Sequence, residues 1–282
     1  MKSIKVQLFM VVLTVLLFVI GFHSIFSKKI LAKADSVHTL TFNNKLKVKT
    51  LFYPYRDPGN TADNLRRHLQ GLTIDTNDNI YLTYAVCDET RYAYIYVYNK
   101  KGKLLRKSKK MPLGHGQAIS YKNGYLYQLA DIKDQTNFSL LKIDPYTFRI
   151  VRSWTIPSTI HPNVLFMQDD NTGISVSRYL DGYDINKIHL TEGPDAQRDW
   201  HEKIHISGFI GITPNREIQG FTYRNGQYHL LSNGEYMTFN PDGSNVKHIS
   251  MNTKRESEGI GVMSNGKLVF GFNRLNELFI QQ

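Results

Sequence analysis

Three histidines and two glutamates recur at equivalent places in this 282-residue chain: His68, His115, His161, Glu217 and Glu256. Each stands two residues before a further polar residue, Gln70, Gln117, Asn163, Gln219 and Glu258 in turn. Imidazoles and carboxylates are ligands for zinc and other transition metals, so the first set has the chemistry to hold one metal ion. The second set, four amides and an acid, has the chemistry of a ligand-binding cup. The same groups could equally form a hydrogen-bonded plug around ordered water, because polar groups beside a wet channel are satisfied without a metal. Residues two apart on a strand face the same way, so the two sets are expected as adjacent rings. No cofactor other than such a metal ion is implied.

The elements that must position these residues are strands. Gln70-Gly71-LTIDTNDNIYLTYA, Gln117-Ala118-ISYKNGYLYQLAD, Gln219-Gly220-FTYRNGQYHLLSN and Glu258-Gly259-IGVMSNGKLVFGFN share one pattern. A polar residue and a small one precede an apolar-alternating strand, a tight turn and a second strand. Asn163-VLFMQDDNTGISVSRY is a weaker copy. Asn123-Gly124, Asn225-Gly226 and Asn265-Gly266 are Asn-Gly pairs, which accept positive φ at both central positions and predict type I′ hairpins. A second hairpin follows in most copies, as in YIYVYNKKGKLLRK, SLLKIDPYTFRIVRSW and EYMTFNPDGSNVKHIS. Four antiparallel strands repeating every 40–50 residues or so are the signature of propeller blades. The expected fold is therefore all-β, a five-bladed propeller whose first strands line a central channel.

Thr191–Lys203 is polar and poorly patterned, and reads as a longer loop in the third blade. The fifth copy reaches the end of the chain after three strands, so Lys45–Phe52 is expected to close the ring as its fourth strand, removing an exposed edge. A β-sandwich with an N-terminal edge strand is the competing arrangement.

Lys2 and Lys5 precede an apolar run from Leu8 to Phe22, and Ala32-Lys33-Ala34 has the small-x-small form of a cleavage site. Residues 1–34 are thus expected to be an export signal, and 35–282 a single propeller domain. The apolar stretch from Val6 to Phe26 is also long enough to span a bilayer uncleaved, which would leave a membrane-anchor helix. The product is then secreted or held at the extracellular surface, touching membrane only through this segment.

The lone Cys87 excludes an internal disulfide and reads as a small buried apolar residue. Formal charge is +11; setting aside the five lysines of residues 1–34 leaves 30 basic against 24 acidic residues, or +6. That balance suits anionic polymers, yet no basic run with interleaved aromatics marks a nucleic-acid groove. The dense patch Lys100–Lys110 reads as a solvated turn and edge strand.

G-x-S-x-G, H-E-x-x-H and phosphate-cradling glycine loops are all absent. Asp169-Asp170 and Asp131/Asp134 are acidic pairs of the kind that turns carry routinely. The expected protein is a binding module and not an enzyme.

The blade starts HLQGLTIDTNDNIYLTYA, GHGQAISYKNGYLYQLAD, REIQGFTYRNGQYHLLS and ESEGIGVMSNGKLVF resemble the propeller of helveticin J-like bacteriocins. The same propeller occurs in phage receptor-binding proteins and in a teichoic-acid-operon protein of Gram-positive bacteria. The resemblance covers most of Arg66–Gln282 and implies a five-bladed propeller that engages cell-envelope polymers. Unlike those relatives, this chain carries an export signal and no evident second domain, which favours a free or tethered surface protein. The resulting expectation is a non-catalytic propeller binding anionic cell-wall polymer or glycan. A secreted helveticin-type antibacterial protein and a metal-dependent, lactonase- or lyase-like propeller enzyme are the alternatives.

Overall fold

The computed structural model describes residues 36–282 except 44, 56–66, 87–88, 133–136 and 274–275. The expected export segment, Cys87 and Asp134 lie outside the described residues. The chain divides into two units, residues 1–38 and 39–282, and every strand belongs to the second. Among the described residues there is no helix.

The described residues form twenty-one strands in five antiparallel sheets. Two strands precede the first blade, β1 (Thr39–Phe42) and β2 (Leu46–Phe52). The first blade is β3 (Arg67–Ile74), β4 (Ile80–Val86), β5 (Glu89–Tyr98) and β6 (Leu104–Lys107). The second is β7 (Ala118–Lys122), β8 (Tyr125–Ala130), β9 (Phe138–Ile143) and β10 (Ile150–Ile156). The third is β11 (Val164–Met167), β12 (Thr172–Tyr179), β13 (Gly182–Leu190) and β14 (Ala196–Ser207). The fourth is β15 (Ile218–Arg224), β16 (Gln227–Ser232), β17 (Glu235–Phe239) and β18 (Lys247–Ser250). The fifth holds β19 (Ser257–Val262), β20 (Leu268–Phe272) and β21 (Glu277–Gln281).

The first strand of each blade lies beside those of both neighbouring blades, in a circuit β3, β7, β11, β15, β19. This circuit makes the fold a five-bladed propeller and rules out the sandwich. The β-branched and aromatic residues of segments such as IYLTYAV and YIYVY suit half-buried pleated surfaces. Their side chains pack into clusters that bridge each pair of neighbouring blades. Leu69, Tyr84, Val269 and Leu278 pack between the first and fifth, while Tyr81, Ile95, Ile119 and Leu141 pack between the first and second. Tyr236, Ile260 and Phe270 join the fourth and fifth, and one continuous cluster runs through the second, third and fourth.

Glycine after the polar blade-start residue is required by how closely the inner strands approach. A Cβ on Gly71 would lie 2.8 Å from the Gly116 carbonyl oxygen of the next blade. Gly259 has φ 134, and a Cβ there would lie 2.7 Å from the Leu72 amide nitrogen. Space excludes a side chain at both places, and at Gly259 the backbone conformation does so as well.

Asn123 and Gly124 both have positive φ, as do Asn225 and Gly226, matching the expected tight hairpins. The third Asn-Gly pair differs, because only Gly266 is positive. There the loop is longer, and the Asn265 side chain accepts the Lys267 amide instead.

Two further expectations are corrected. Thr191–Lys203 is not simply a loop: from Ala196 it belongs to the 12-residue strand β14. Its pairing with β13 jumps from Ile185↔Ile204 to Lys187↔Asp199, so residues 200–203 bulge out of the ladder. A bulge of this size breaks the alternation from which a strand is read. β1 was also not anticipated. It pairs with β2, which in turn pairs with β21 through Val48↔Gln281, Lys49↔Ile280, Thr50↔Phe279 and Phe52↔Leu278. At this seam the fully buried Glu277 accepts a hydrogen bond from Thr50 Oγ1 at 2.6 Å and pairs with Arg255 at 2.5 Å. The Lys100–Lys110 patch occupies the turn after β5, the strand β6 and the residues just beyond it.

Candidate functional site

The N-terminal ends of the inner strands converge on a polar cavity of about 270 Å³ at one mouth of the channel. Gln70, Gln117, Asn163, Gln219 and Glu258, the five blade-start residues, all line it. His115, Glu217 and Glu256 join them, so eight of the ten sequence-predicted site residues meet in one place. Below the mouth the axis is filled by Leu72, Ile119, Leu165 and Phe221, around a void of only about 10 Å³. That is room for no more than one water, so the site is a cup and not a pore.

A local irregularity aims the blade-start residues inward. Pairing skips Gln70 between Leu69 and Gly71, skips Gln219 between Ile218 and Gly220, and skips Glu258 and Gly259 between Ser257 and Ile260. A bulge re-aims a side chain without ending the strand. In the second and third blades Gln117 and Asn163 stand just before the first strand begins, with the same effect.

His68 and His161 are not at the mouth, which corrects the expectation of a metal ring. His68 is held inside the ladder opposite Ala85, because β3 begins before its bulge. His115, Glu217 and Glu256 instead precede the strands of their blades and are free of that constraint. His161 has φ 41, lies before Pro162, and packs edge-on against Phe138 with centroids 5.2 Å apart. Among the described residues no three His, Cys, Asp or Glu side chains are placed to hold a metal together.

Two glycines of positive φ, Gly114 and Gly116, flank His115, and the Asp131 carboxylate accepts its backbone amide at 2.7 Å. Burial raises the Asp131 carboxyl above its ordinary range, against the opposing pull of His115. The His115 Nδ1 atom is buried without a hydrogen-bond partner among the described residues. Gln117 Nε2 donates to Gln219 Oε1 at 2.8 Å and to the Ile218 carbonyl oxygen, tying the second blade to the fourth across the mouth.

Glu258 is almost wholly buried. Its carboxyl is pushed well above the ordinary carboxylate range, first by burial and then by the neighbouring charge of Glu256 and, more weakly, Glu217. Asn273 Nδ2 lies 3.4 Å from both Glu258 Oε1 and Glu256 Oε2, while Glu258 Oε2 is buried without a partner among the described residues. A neutral carboxylic acid offers one O–H donor, so the mouth presents donors and acceptors together.

Arg178 and Asn273 were missed from the sequence. Arg178 lines the mouth from the end of β12, its backbone amide donating to Asn163 Oδ1 at 2.9 Å and its guanidinium to the Asn215 carbonyl oxygen. No repeat position announces it. Asn273 did leave a trace, because the second strands end in LAD, LSN and GFN. Asp131, Asn233 and Asn273 stand at those ends, and Asn233 Oδ1 accepts the Ser257 amide at 2.8 Å. A polar residue there fastens a segment leading into the mouth.

No family model matches the chain, and no curated protein is significantly similar to it. Among solved structures, it is similar to the WD40 β-propeller domain of Doa1, at 12% identity and a TM-score of 0.42 over 76% of this chain and 79% of that one. It is also similar to streptogramin B lyase, at 16% identity and a TM-score of 0.39 over 84% and 72%. A protein of unknown function from Bacteroides caccae shows 9% identity and a TM-score of 0.45 over 72% and 70%. Such scores carry no argument about function.

Proposed function

We propose that this protein is an exported, non-catalytic binding propeller whose central cup takes a hydroxyl-rich unit of a cell-envelope glycan. The observation that carries this reading is the lining of the mouth. Four amides, a buried carboxyl of raised pKa and two further glutamates surround a cavity with Ile218 as its one apolar lining residue. Amides and protonated acids both give and accept hydrogen bonds, which suits neighbouring hydroxyls. Glu217 and Glu256, opposed by Arg178, disfavour an anionic group at this mouth. Of the two envelope ligands suggested by sequence, the glycan therefore fits the cup better than the anionic polymer. The net positive charge of the chain serves general attraction to an anionic surface. In this reading residues 1–34 direct export, with or without remaining as a tether, and β2 is the strand that shuts the ring.

Retention of the protein on purified wall polysaccharide stripped of anionic polymer tests the reading. Retention that persists from about 0.15 M to about 1 M salt is expected, because exposed charge attraction is screened over this range. Retention only on the anionic polymer, lost at high salt, contradicts it.

One observation favours a second reading, catalysis. A carboxyl of raised pKa beside a second carboxyl is the usual arrangement of a general acid and base. Release of reducing ends from the retained glycan would select it over simple binding.

A further inference from the structure

A larger cavity, of about 580 Å³, lies away from the mouth, in a cleft between the third and fourth blades. Its walls are largely apolar: Phe166, Ile174 and Ile185 on one side, Ile204 above, Tyr223 and Tyr228 on the other. Tyr223 and Tyr228 stand with ring centroids 5.2 Å apart, and Phe166 lies 6.4 Å from Tyr223. This volume falls in the range of small-molecule sites, which are mostly apolar with a few placed polar groups.

The cleft is opened by the β13–β14 bulge. Where pairing jumps from Ile185 to Lys187, residues 200–203 swing out and leave Asn186 with no partner in β14. Asn186 is 1% exposed, lines the cleft, and its side-chain oxygen makes no hydrogen bond among the described residues. A buried acceptor left unsatisfied is costly, and a donor from a bound molecule would satisfy it.

Three lysines stand around the cleft, and they are not equivalent. Lys187 is paired with Glu202 at 2.8 Å and Lys203 with Asp184 at 2.6 Å. Lys122, which comes from the end of β7 on the far side, forms no ion pair among the described residues. Among the described residues it is the one lysine of the lining held in no ion pair, its charge felt by the Asp169 carboxylate but free to meet an incoming anion.

We propose that this cleft is a second binding site, for a small organic anion with a flat apolar body and a hydrogen-bond donor. The body lies between Phe166, Ile204 and the two tyrosines, the donor meets Asn186 Oδ1, and the acid group meets Lys122. The site is independent of the cup and of what the cup binds.

Anilinonaphthalenesulfonate, which has an aromatic body, an N–H and a sulfonate, is a direct probe, and phenylnaphthylamine is its uncharged counterpart. Fluorescence titration of the full chain is expected to show one saturable dye site. Lys122→Gln should weaken the sulfonate dye about fivefold, the size of one partly exposed charge contact, and leave phenylnaphthylamine unchanged. Ile204→Trp, which fills the cleft, should remove both. Equal sulfonate binding by wild type and Lys122→Gln overturns the proposal. So does undiminished dye binding by an Ile204→Trp protein that unfolds at the wild-type temperature. Lys122 is only half-buried, so its variant decides the matter if Ile204→Trp fails to fold.

Discussion

The central cup and the inter-blade cleft are built by the same device used to opposite ends. Each arises where a bulge breaks a strand pairing. At the cup the bulges lie on inner strands, where glycines let neighbouring backbones close in, and the extra residue is driven into a small polar cavity. At the cleft the bulge lies between the two outer strands of one blade, away from the crowded axis, and the strand swings away to uncover apolar walls. The surroundings of a bulge decide whether it makes a tight polar site or an open apolar one.

The sharpest way to break this contrast is to fill the axis. Gly259→Val places a side chain against the Leu72 backbone at a φ that suits only glycine. A loss of about 3 kcal/mol or more is expected in denaturant unfolding. A bulky substitution tolerated there would mean the inner strands are not tightly apposed.

Acidity separates the regions next. His229, in the fourth blade, is held down to about 4 by burial, with Arg224 adding to the effect. Its folded pKa lies below its unfolded one, so stability is lost as pH falls from about 6.5 towards 4, by up to about 3 kcal/mol. His229→Gln should flatten that slope. Glu258 at the cup has the opposite sign. Its folded pKa is raised, so its contribution is full below about 4.5 and declines as pH rises above it. Glu258→Gln should remove that decline, measured as unfolding midpoint against pH. A Glu258→Gln profile identical to wild type would show that the carboxyl is ionised in the folded protein.

Binding gives the next effect. Glu258→Leu should weaken glycan binding about tenfold in calorimetric titration, while Glu258→Gln, which keeps a donor and an acceptor, stays within about twofold. The smallest effect belongs to the cleft rim. Lys187 and Glu202 are partly exposed, so Lys187→Ala should change stability by less than about 1 kcal/mol.

Much of this was legible in the residues. The polar-small pairs Gln70-Gly71, Gln219-Gly220 and Glu258-Gly259 mark both the blade starts and the cup, because one constraint, crowding at the axis, demands both residues. His68 and His161 were misassigned because alternation along a strand assumes unbroken pairing. One is held in the ladder, and the other turns with a left-handed backbone that no His-Pro pair announces. Arg178 was invisible because it reaches the mouth from the end of a second strand in the least regular blade. The cleft was hidden for a related reason: the strand that opens it reads as polar and irregular, and its irregularity is the bulge itself.

The central claim, that the mouth holds a neutral glycan unit by hydrogen bonds across the blades, is tested most directly at the Gln117–Gln219 contact. Calorimetric titration of a neutral wall oligosaccharide into wild type, Gln117→Leu/Gln219→Leu and Ile204→Trp should show binding lost in the double variant and kept in the cleft variant. Undiminished binding by a folded Gln117→Leu/Gln219→Leu protein would contradict the account.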